Sequence, residues 1–216
     1  MEIVRLGREG LIAYLENQVA SFFPDGRRYR DVLEANVDEA LARTMRCVNH
    51  VKMWTPDKFD YLHSTQYCIF LYFLSNTIYR HQHSAELQTK LFLLNKALNG
   101  IDLFYEIAMP DIFFIGHSVG IVLAKATYGN YLVLYQNSTV GKNHGIAPVL
   151  GEGVIMYPNS AIIGDCQIAD GSVISQGVSV INKNTAAHSL VFQGEGGQLV
   201  FKKDQRNILS DFFRLN

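Results

Sequence analysis

An aliphatic residue opens each of six consecutive hexads in the second half of the chain: Leu150, Met156, Ile162, Ile168, Ile174 and Val180. An α-helix repeats about every 3.6 residues and a strand every two, so neither element alone gives a period of six. A triangular solenoid of short strands does, because each side of the coil takes one hexad and turns its aliphatic residue toward the axis. The repeat therefore predicts a three-sided β-solenoid.

The same phase continues upstream, and we expect the following residues to point toward the axis as well: Ile115, Ile121, Thr127, Val133 and Thr139. The repeat breaks between Gly141 and Pro148. Insertions into a solenoid are accommodated as loops on one face, so this break predicts a loop that leaves the coil at a corner.

The composition indicates a globular chain with a substantial core. Of its 216 residues, 48% are hydrophobic and 18% are charged, and the formal net charge is -1. No long basic run is present, so nothing points to a nucleic-acid partner. The N-terminal segment is charged and amphipathic, unlike a signal peptide. The most apolar stretch, residues 67–78, is shorter than the about 20 residues that span a bilayer, so we expect no membrane span.

Three widely spaced cysteines, Cys47, Cys68 and Cys166, are typical of reduced thiols rather than a disulfide framework. This usage favours a cytoplasmic protein. His81 and His83 fall at the end of a predicted helix, with no third ligand placed to complete a metal site. We therefore expect no bound metal.

The glycine content and the spacing of apolar residues change near residue 105. Upstream, few glycines occur and apolar residues recur at three- and four-residue intervals, which predicts helices over about 30–51, 59–81 and 84–99, after a short first helix. Ser84 is a partial N-cap and Asn99-Gly100 a C-terminal stop. The predicted fold class is α+β, with a helical domain (1–104), a β-helix domain (105–201) and a C-terminal tail (202–216) that forms a short helix or an arm.

Three segments then resemble a known family. Residues 115–122 read Ile-Gly-His-Ser-Val-Gly-Ile-Val, residues 136–141 read Gln-Asn-Ser-Thr-Val-Gly, and residues 148–154 restart the solenoid after its loop. Over residues 58–201 the chain resembles the hexapeptide-repeat acyltransferases, and within them the serine acetyltransferases. The resemblance implies a left-handed parallel β-helix, acetyl-CoA as cosubstrate, and a homotrimer with active sites in clefts between neighbouring solenoids; a homohexamer is the alternative.

The resemblance also implies catalytic roles. His117 occupies the position of the family's catalytic histidine, and a base of this type suits removal of a hydroxyl proton near neutral pH. Glu106 is the candidate that orients its imidazole, with Asp111 as the rival. Gly141 is the candidate that stabilises the oxyanion through its backbone N–H.

By position, the residues expected to line the coenzyme are spread over the later coils: Asn159, Ser160, Ala161, Ser175, Gln176, Gly177 and Lys183. Each of them is also an ordinary corner residue of a solenoid.

The chain departs from the family where the amino-acid acceptor is recognised. Gly116 replaces an aspartate before the histidine, and Ile146-Ala147 replaces an Arg-His pair before Pro148. Binding a zwitterion without opposite charges leaves desolvated groups unpaired. We therefore expect free L-serine to be a poor acceptor.

A neutral hydroxyl of a sugar, in a surface polysaccharide or its precursor, is the expected acceptor instead. The candidate acceptor-binding residues are Tyr135, Gln136, Asn143 and His144. Two alternatives stay open: a serine O-acetyltransferase of cysteine biosynthesis whose charged contacts come from elsewhere, and a solenoid without catalytic activity that serves as a binding module. N-acetylation of an amino sugar is a further variant of the sugar-acceptor hypothesis.

Overall fold

The computed structural model describes residues 1–204 and 206–215. The chain forms two compact units. The first, the helical unit, contains Met1–Gly100 with Phe104–Glu106. The second, the solenoid unit, contains Ile101–Leu103 and the chain from Ile107 onward.

The elements of the helical unit are β1 (Glu2–Ile3), α1 (Arg8–Phe22), α2 (Arg30–His50), β2 (Lys58–Phe59), α3 (Ser64–His81) and α4 (Ala85–Asn99). The predicted caps of α4 are confirmed, because Ser84 accepts a hydrogen bond from the backbone N–H of Leu87 and Gly100 adopts a φ of 64°. Helix α3 begins at Ser64 rather than near residue 59, since Lys58 and Phe59 pair with β1 as a strand. In the described part of the chain, no helix has the length and apolarity to cross a bilayer.

The solenoid unit has three sides made of short parallel strands, and the left-handed parallel β-helix expected from the resemblance is the fold of this unit. Side one contains β4 (Phe113–Ile115), β7 (Leu132–Leu134), β10 (Ile155–Met156), β13 (Val173–Ile174) and β15 (Ser189–Gln193), with β16 (Leu199–Lys203) added antiparallel. Side two contains β3 (Asp102–Leu103), β5 (Val122–Leu123), β8 (Thr139–Gly141), β11 (Ala161–Ile163) and β14 (Ser179–Ile181). Side three contains β6 (Thr127–Tyr128), β9 (Val149–Leu150) and β12 (Gln167–Ile168).

The chain visits the sides in the order one, two, three, and three edges join them. The first edge, between sides one and two, is formed by residues 116–121, 135–138, 157–160 and 175–178. The second edge, between sides two and three, contains residues 124–126, 142–148, 164–166 and 182–184. The third edge contains residues 129–131, 151–154, 169–172 and 186–188.

The downstream repeat is confirmed in both period and phase. Ile155 pairs with Val173 and Ala161 with Ser179, which is a coil of 18 residues or three hexads. All six aliphatic residues that open the hexads are no more than 2% exposed. They form the interior of the solenoid.

The upstream prediction is right at Ile115, which pairs with the interior residue Leu134 and is fully buried, but from Thr127 onward the predicted phase is wrong by one residue. Tyr128 pairs with Leu150, Leu134 with Met156, and Val140 with Ile162, so the interior row passes through these residues. Of the predicted row, Thr127 is exposed and Thr139 half-buried. Two extra residues enter the first edge of the first coil. Tyr128 then follows the interior residue Leu123 by five positions, whereas Ile168 follows Ile162 by six.

The predicted loop is confirmed at the second edge. Thr139 pairs with Ala161, 22 residues away rather than 18, so four residues are inserted there. Asn143 and Ile146 form an isolated antiparallel bridge, and His144 and Gly145 have φ values of 47° and 82°. The insertion is therefore a tight hairpin rather than an open loop.

The C-terminal segment, residues 199–204 and 206–215, covers the outer face of side one. Its helix α5 (Leu209–Phe212) places the Phe212 ring 6.1 Å from that of Phe114. Strand residues alternate between faces, so Val133, adjacent to the interior residue Leu134, points outward. It is nevertheless fully buried, since this segment shields the face.

Candidate functional site

His117 lies on a two-residue insertion in the first edge. Six residues separate Ile115 from Val122, whereas four separate Leu134 from Thr139 in the next coil, and those flanking residues pair directly. The extra residues are accommodated around His117 and Ser118, where Gly116 N–H donates to Leu134 O (2.8 Å). The neighbouring coils thus stay in register while the insertion displays a histidine.

The imidazole of His117 is exposed in the single chain, whereas Ser118 beside it is buried. Among the described residues of the solenoid unit, His117 has no hydrogen-bond or ion-pair partner. The rival orienting residue, Asp111, is therefore not bonded to it in this structure. Glu106 lies in a turn of the helical unit, and its orienting role stays a prediction.

Tyr135 fills the space next to Gly116. A Cβ atom at Gly116 would lie 2.5 Å from Cε1 of Tyr135, which is closer than carbon atoms approach. The Tyr135 ring stacks on Tyr157, with centroids 5.7 Å apart, and contacts Phe212 edge-on. Burial raises the pKa of the Tyr135 hydroxyl, so this wall beside the histidine is uncharged. An aspartate before the histidine is excluded here unless Tyr135 moves.

Most of the residues predicted to line the coenzyme share the first edge with His117. Asn159 is exposed and accepts a hydrogen bond from the Asn137 side chain at 2.9 Å, and Gln176 and Gly177 are exposed one coil further on. Ser175 and Ala161 are half-buried at the ends of the same edge. Together these residues form a continuous row along the first edge of the solenoid, the first strip.

Ser160 is the exception within that strip. Its side chain is 1% exposed, its backbone N–H donates to Tyr157 O, and its carbonyl accepts from Thr139 N. The N–H therefore closes the turn of its own edge, the carbonyl joins neighbouring coils, and the side chain is buried. The contact of Ser160 with a coenzyme stays a prediction, and a buried side chain leaves only its backbone to make it.

The other candidates lie at the far end of side two. Gly141 ends β8, the hairpin carries Asn143 and His144, and Lys183 follows β14 at the same second edge. A Cβ at Gly164 would meet both Asn143 and Asn182, so the hairpin lies directly over the next coils. Gly141, His144 and Lys183 thus form a second strip.

The structure does not bring the two strips together in one chain. Tyr135 and Gln136 lie at the beginning of side two, whereas Asn143 and His144 lie beyond its end. The four residues predicted to line one acceptor pocket therefore do not form it within a single chain. In the described residues, no group of three or more His, Cys, Asp or Glu side chains is arranged to hold a metal ion.

Comparisons with known proteins find similarity in structure. The chain resembles a serine acetyltransferase from Vibrio cholerae with a TM-score of 0.69 at 18% identity, over 93% of this chain and 81% of the other. The soybean enzyme complexed with serine gives 0.65 at 16%, over 89% and 84%. A serine acetyltransferase in complex with CoA gives 0.66 at 17%, over 91% and 86%.

The fold is that of the serine acetyltransferases. No protein-family model and no curated protein matches the sequence. The similarity to these enzymes covers nearly the whole chain, so it includes both the helical unit and the solenoid.

Two features of the candidate site could not be read directly from the predicted motifs. One is the insertion that displays His117, which the uneven spacing of the hexads could have indicated. The other is the contact between Gly116 and Tyr135, residues of neighbouring coils. This contact depends on the register of the upstream coils, where the predicted phase is wrong.

Proposed function

We propose that the chain is an acetyl-CoA-dependent O-acetyltransferase in which His117 is the general base. The observation that supports this most is the exposed insertion that carries His117 at one end of the strip predicted to line the coenzyme. An alcohol is a weak nucleophile near neutral pH, so a base must take its proton as it attacks the thioester carbonyl. Collapse of the tetrahedral intermediate then releases the CoA thiol and leaves an acetyl ester.

We further propose that each active site is shared by two protomers of a homotrimer. His117 and Gly141 lie at opposite ends of side two, so a backbone N–H near Gly141 reaches the reacting carbonyl only if it comes from a neighbouring chain. A cyclic arrangement brings the first edge of one protomer against the second edge of the next. This contact also covers the exposed imidazole, and excluding water strengthens the electrostatic interactions of the transition state.

Complementation between two inactive variants tests the shared site. His117→Ala removes the base, and Gly141→Asp places a negative charge where the oxyanion develops. A Cβ at Gly141 meets only the Ile163 side chain, at 3.4 Å, so the second variant is compatible with the fold. When the two are co-expressed, we expect activity to return to about a quarter of the sites, because random mixing pairs two intact edges that often.

The measurement is the rate of CoA thiol release by purified mixed oligomers, compared with each variant expressed alone. If each active site were contained within one chain, every site in the mixture would carry one of the two substitutions, and no activity would return. The matched control mixes His117→Ala with itself under two different tags.

For the acceptor, the structural comparisons favour L-serine over the sugar expected from the sequence, and we propose L-serine as the first candidate. The neighbours named above are serine acetyltransferases, and one of them is complexed with serine. This would make the reaction the serine O-acetylation of cysteine biosynthesis.

A neutral polyhydroxylated acceptor is the second candidate, and a specific contact favours it. Tyr135 excludes a carboxylate at position 116, and Ile146 and Ala147 are apolar where the family has charged residues. An uncharged wall of this kind suits the hydroxyls and C–H faces of a sugar better than an ammonium group.

An acceptor panel distinguishes the two candidates. Purified protein is incubated with acetyl-CoA and either L-serine or neutral hexoses and their methyl glycosides, and thiol release above acceptor-free hydrolysis is measured. We expect kcat/KM to be highest for L-serine. Turnover of glycosides without serine turnover would reverse the order of the candidates, and no turnover with any hydroxyl acceptor would contradict both.

A further inference from the structure

A concave region lies at the third edge, the end of side one remote from His117. This region, the C-terminal pocket, has a volume of about 570 Å³. Its walls are Glu152, Asp170 and His188 on stacked coils and the chain around Lys203 on the C-terminal segment. None of the residues assigned above to catalysis, coenzyme or acceptor lines it. Its volume is within the range of about 300–1,000 Å³ that is usual for small-molecule sites.

The floor of the C-terminal pocket is apolar. Ile155 and Val173, which are neighbours on the outer face of side one, are buried beneath it, and the half-buried Ile208 and Leu209 supply its accessible apolar surface. Leu209 of α5 packs against Gly153, where an added Cβ would lie 2.5 Å from its Cδ1 atom. This floor suits an aliphatic group of a ligand rather than a fully hydrated ion.

One wall is acidic. Gly171 N–H donates to Glu152 O at 2.8 Å, which places Glu152 and Asp170 on adjacent coils. Like charges on neighbouring strands repel each other. Asp170 is partly compensated, since its Oδ1 accepts the Glu152 backbone N–H at 2.8 Å. The Glu152 carboxylate has no partner among the described residues.

The opposite wall is basic, but only one of its cations is available. The Arg206 guanidinium donates to both carboxylate oxygens of Asp204, at 2.9 Å from Nε to Oδ1 and 2.7 Å from Nη2 to Oδ2, and the Arg206 backbone N–H donates to Oδ1 at 3.0 Å; these bonds lower the pKa of Asp204 to about 2. This pair is internally neutral at physiological pH. Lys203, on β16, has no ion-pair partner in the described part of the chain.

We propose that the C-terminal pocket binds a small zwitterion with an aliphatic body, the chemistry of a free aliphatic amino acid. Its ammonium group would contact Glu152 and Asp170, its carboxylate would contact Lys203, and its side chain would cover Ile208 and Leu209. A simple anion would face two carboxylates, and a simple cation would leave Lys203 unpaired. This site is independent of the proposed acetyl transfer.

The test uses L-leucine and two analogues that each lack one charge, 3-methylbutylamine and 4-methylpentanoate. Binding is measured by calorimetry on the full chain carrying His117→Ala, so that the outcome does not depend on enzyme activity. Methyl NMR shifts of Ile208 and Leu209 locate the ligand. We expect L-leucine to bind and each analogue to bind at least about tenfold more weakly, the loss of one charge-assisted contact.

Variants separate this pocket from other surfaces. Glu152→Gln and Lys203→Gln should each weaken L-leucine binding by about tenfold. The matched control is Lys202→Gln, because Lys202 is adjacent on β16 and its side chain points to the opposite face; it should bind like the parent. The proposal is overturned if millimolar L-leucine gives neither heat nor shifts, or if it binds without responding to Glu152→Gln and Lys203→Gln.

Discussion

Replacing His117 with alanine should lower kcat/KM for acetyl transfer by about 10²–10⁴-fold, the contribution of a positioned general base. The alcohol must then lose its proton to water as it attacks, which is less favourable than transfer to a base held at the reacting centre. The fold should be unaffected, since the side chain is exposed and forms no hydrogen bond within the described solenoid unit. The measurement is steady-state thiol release together with thermal unfolding of both proteins.

Gln167→Ala is the control for this loss. Gln167 is exposed on β12 of side three and lies outside the C-terminal pocket and both strips. The control should retain the activity of the parent. If His117→Ala keeps its activity while remaining folded, a reaction that depends on this base is excluded.

The sequence predicted the solenoid because one interior residue per hexad is enough to define its period. From Leu150 to Val180 successive coils pair at a constant 18 residues, so period and phase could both be predicted there, whereas the last coil, from Ile174 to Val191, has 17. Upstream, the insertion at His117 and the shorter turn before Tyr128 change the phase by one residue. A fixed six-residue template cannot accommodate edges of unequal length, and the candidate base, His117, lies in one of them.

The covering of side one could have been predicted from a different pattern. Residues 113–115 and 132–134 are continuously apolar, Phe-Phe-Ile and Leu-Val-Leu, as in strands buried on both faces. The sequence does not show what covers the outer face, because the apolar residues of the C-terminal segment, such as Phe212, have no repeat to place them. That segment also builds the C-terminal pocket.

The residues of the candidate site were predicted from motifs, but their grouping into two strips was not. The strips follow from which edge each residue occupies, and this requires the register of every coil. Whether His117 of one strip meets Gly141 of the other depends on a second chain. The periodicity of one chain contains no information about that contact.

Val140→Asp should be the most destabilising of the substitutions considered, because it places a carboxylate in the interior row of β8. Val140 is 1% exposed and is stacked between Leu123 and Ile162. Burying an unpaired charge is among the few mechanisms that cost more than about 4 kcal/mol. This is comparable to the lower end of domain stability, about 5–15 kcal/mol. We therefore expect loss of the cooperative unfolding transition, measured by urea denaturation and circular dichroism.

Thr139→Asp is the control. Comparing it with Val140→Asp tests whether residue 139 or residue 140 points into the interior of the solenoid. In the structure Thr139 is half-exposed on the outer face of side two, so its substitution should change stability by no more than about 0.5 kcal/mol. The phase predicted from the sequence places Thr139 inside and requires the opposite result. Because each coil is stabilised mainly by its neighbours, an interior charge in β8 should disrupt the coils on both sides, including the edge that displays His117. Loss of acetyl transfer with Val140→Asp but not with Thr139→Asp would then link the register of this coil to the position of the base.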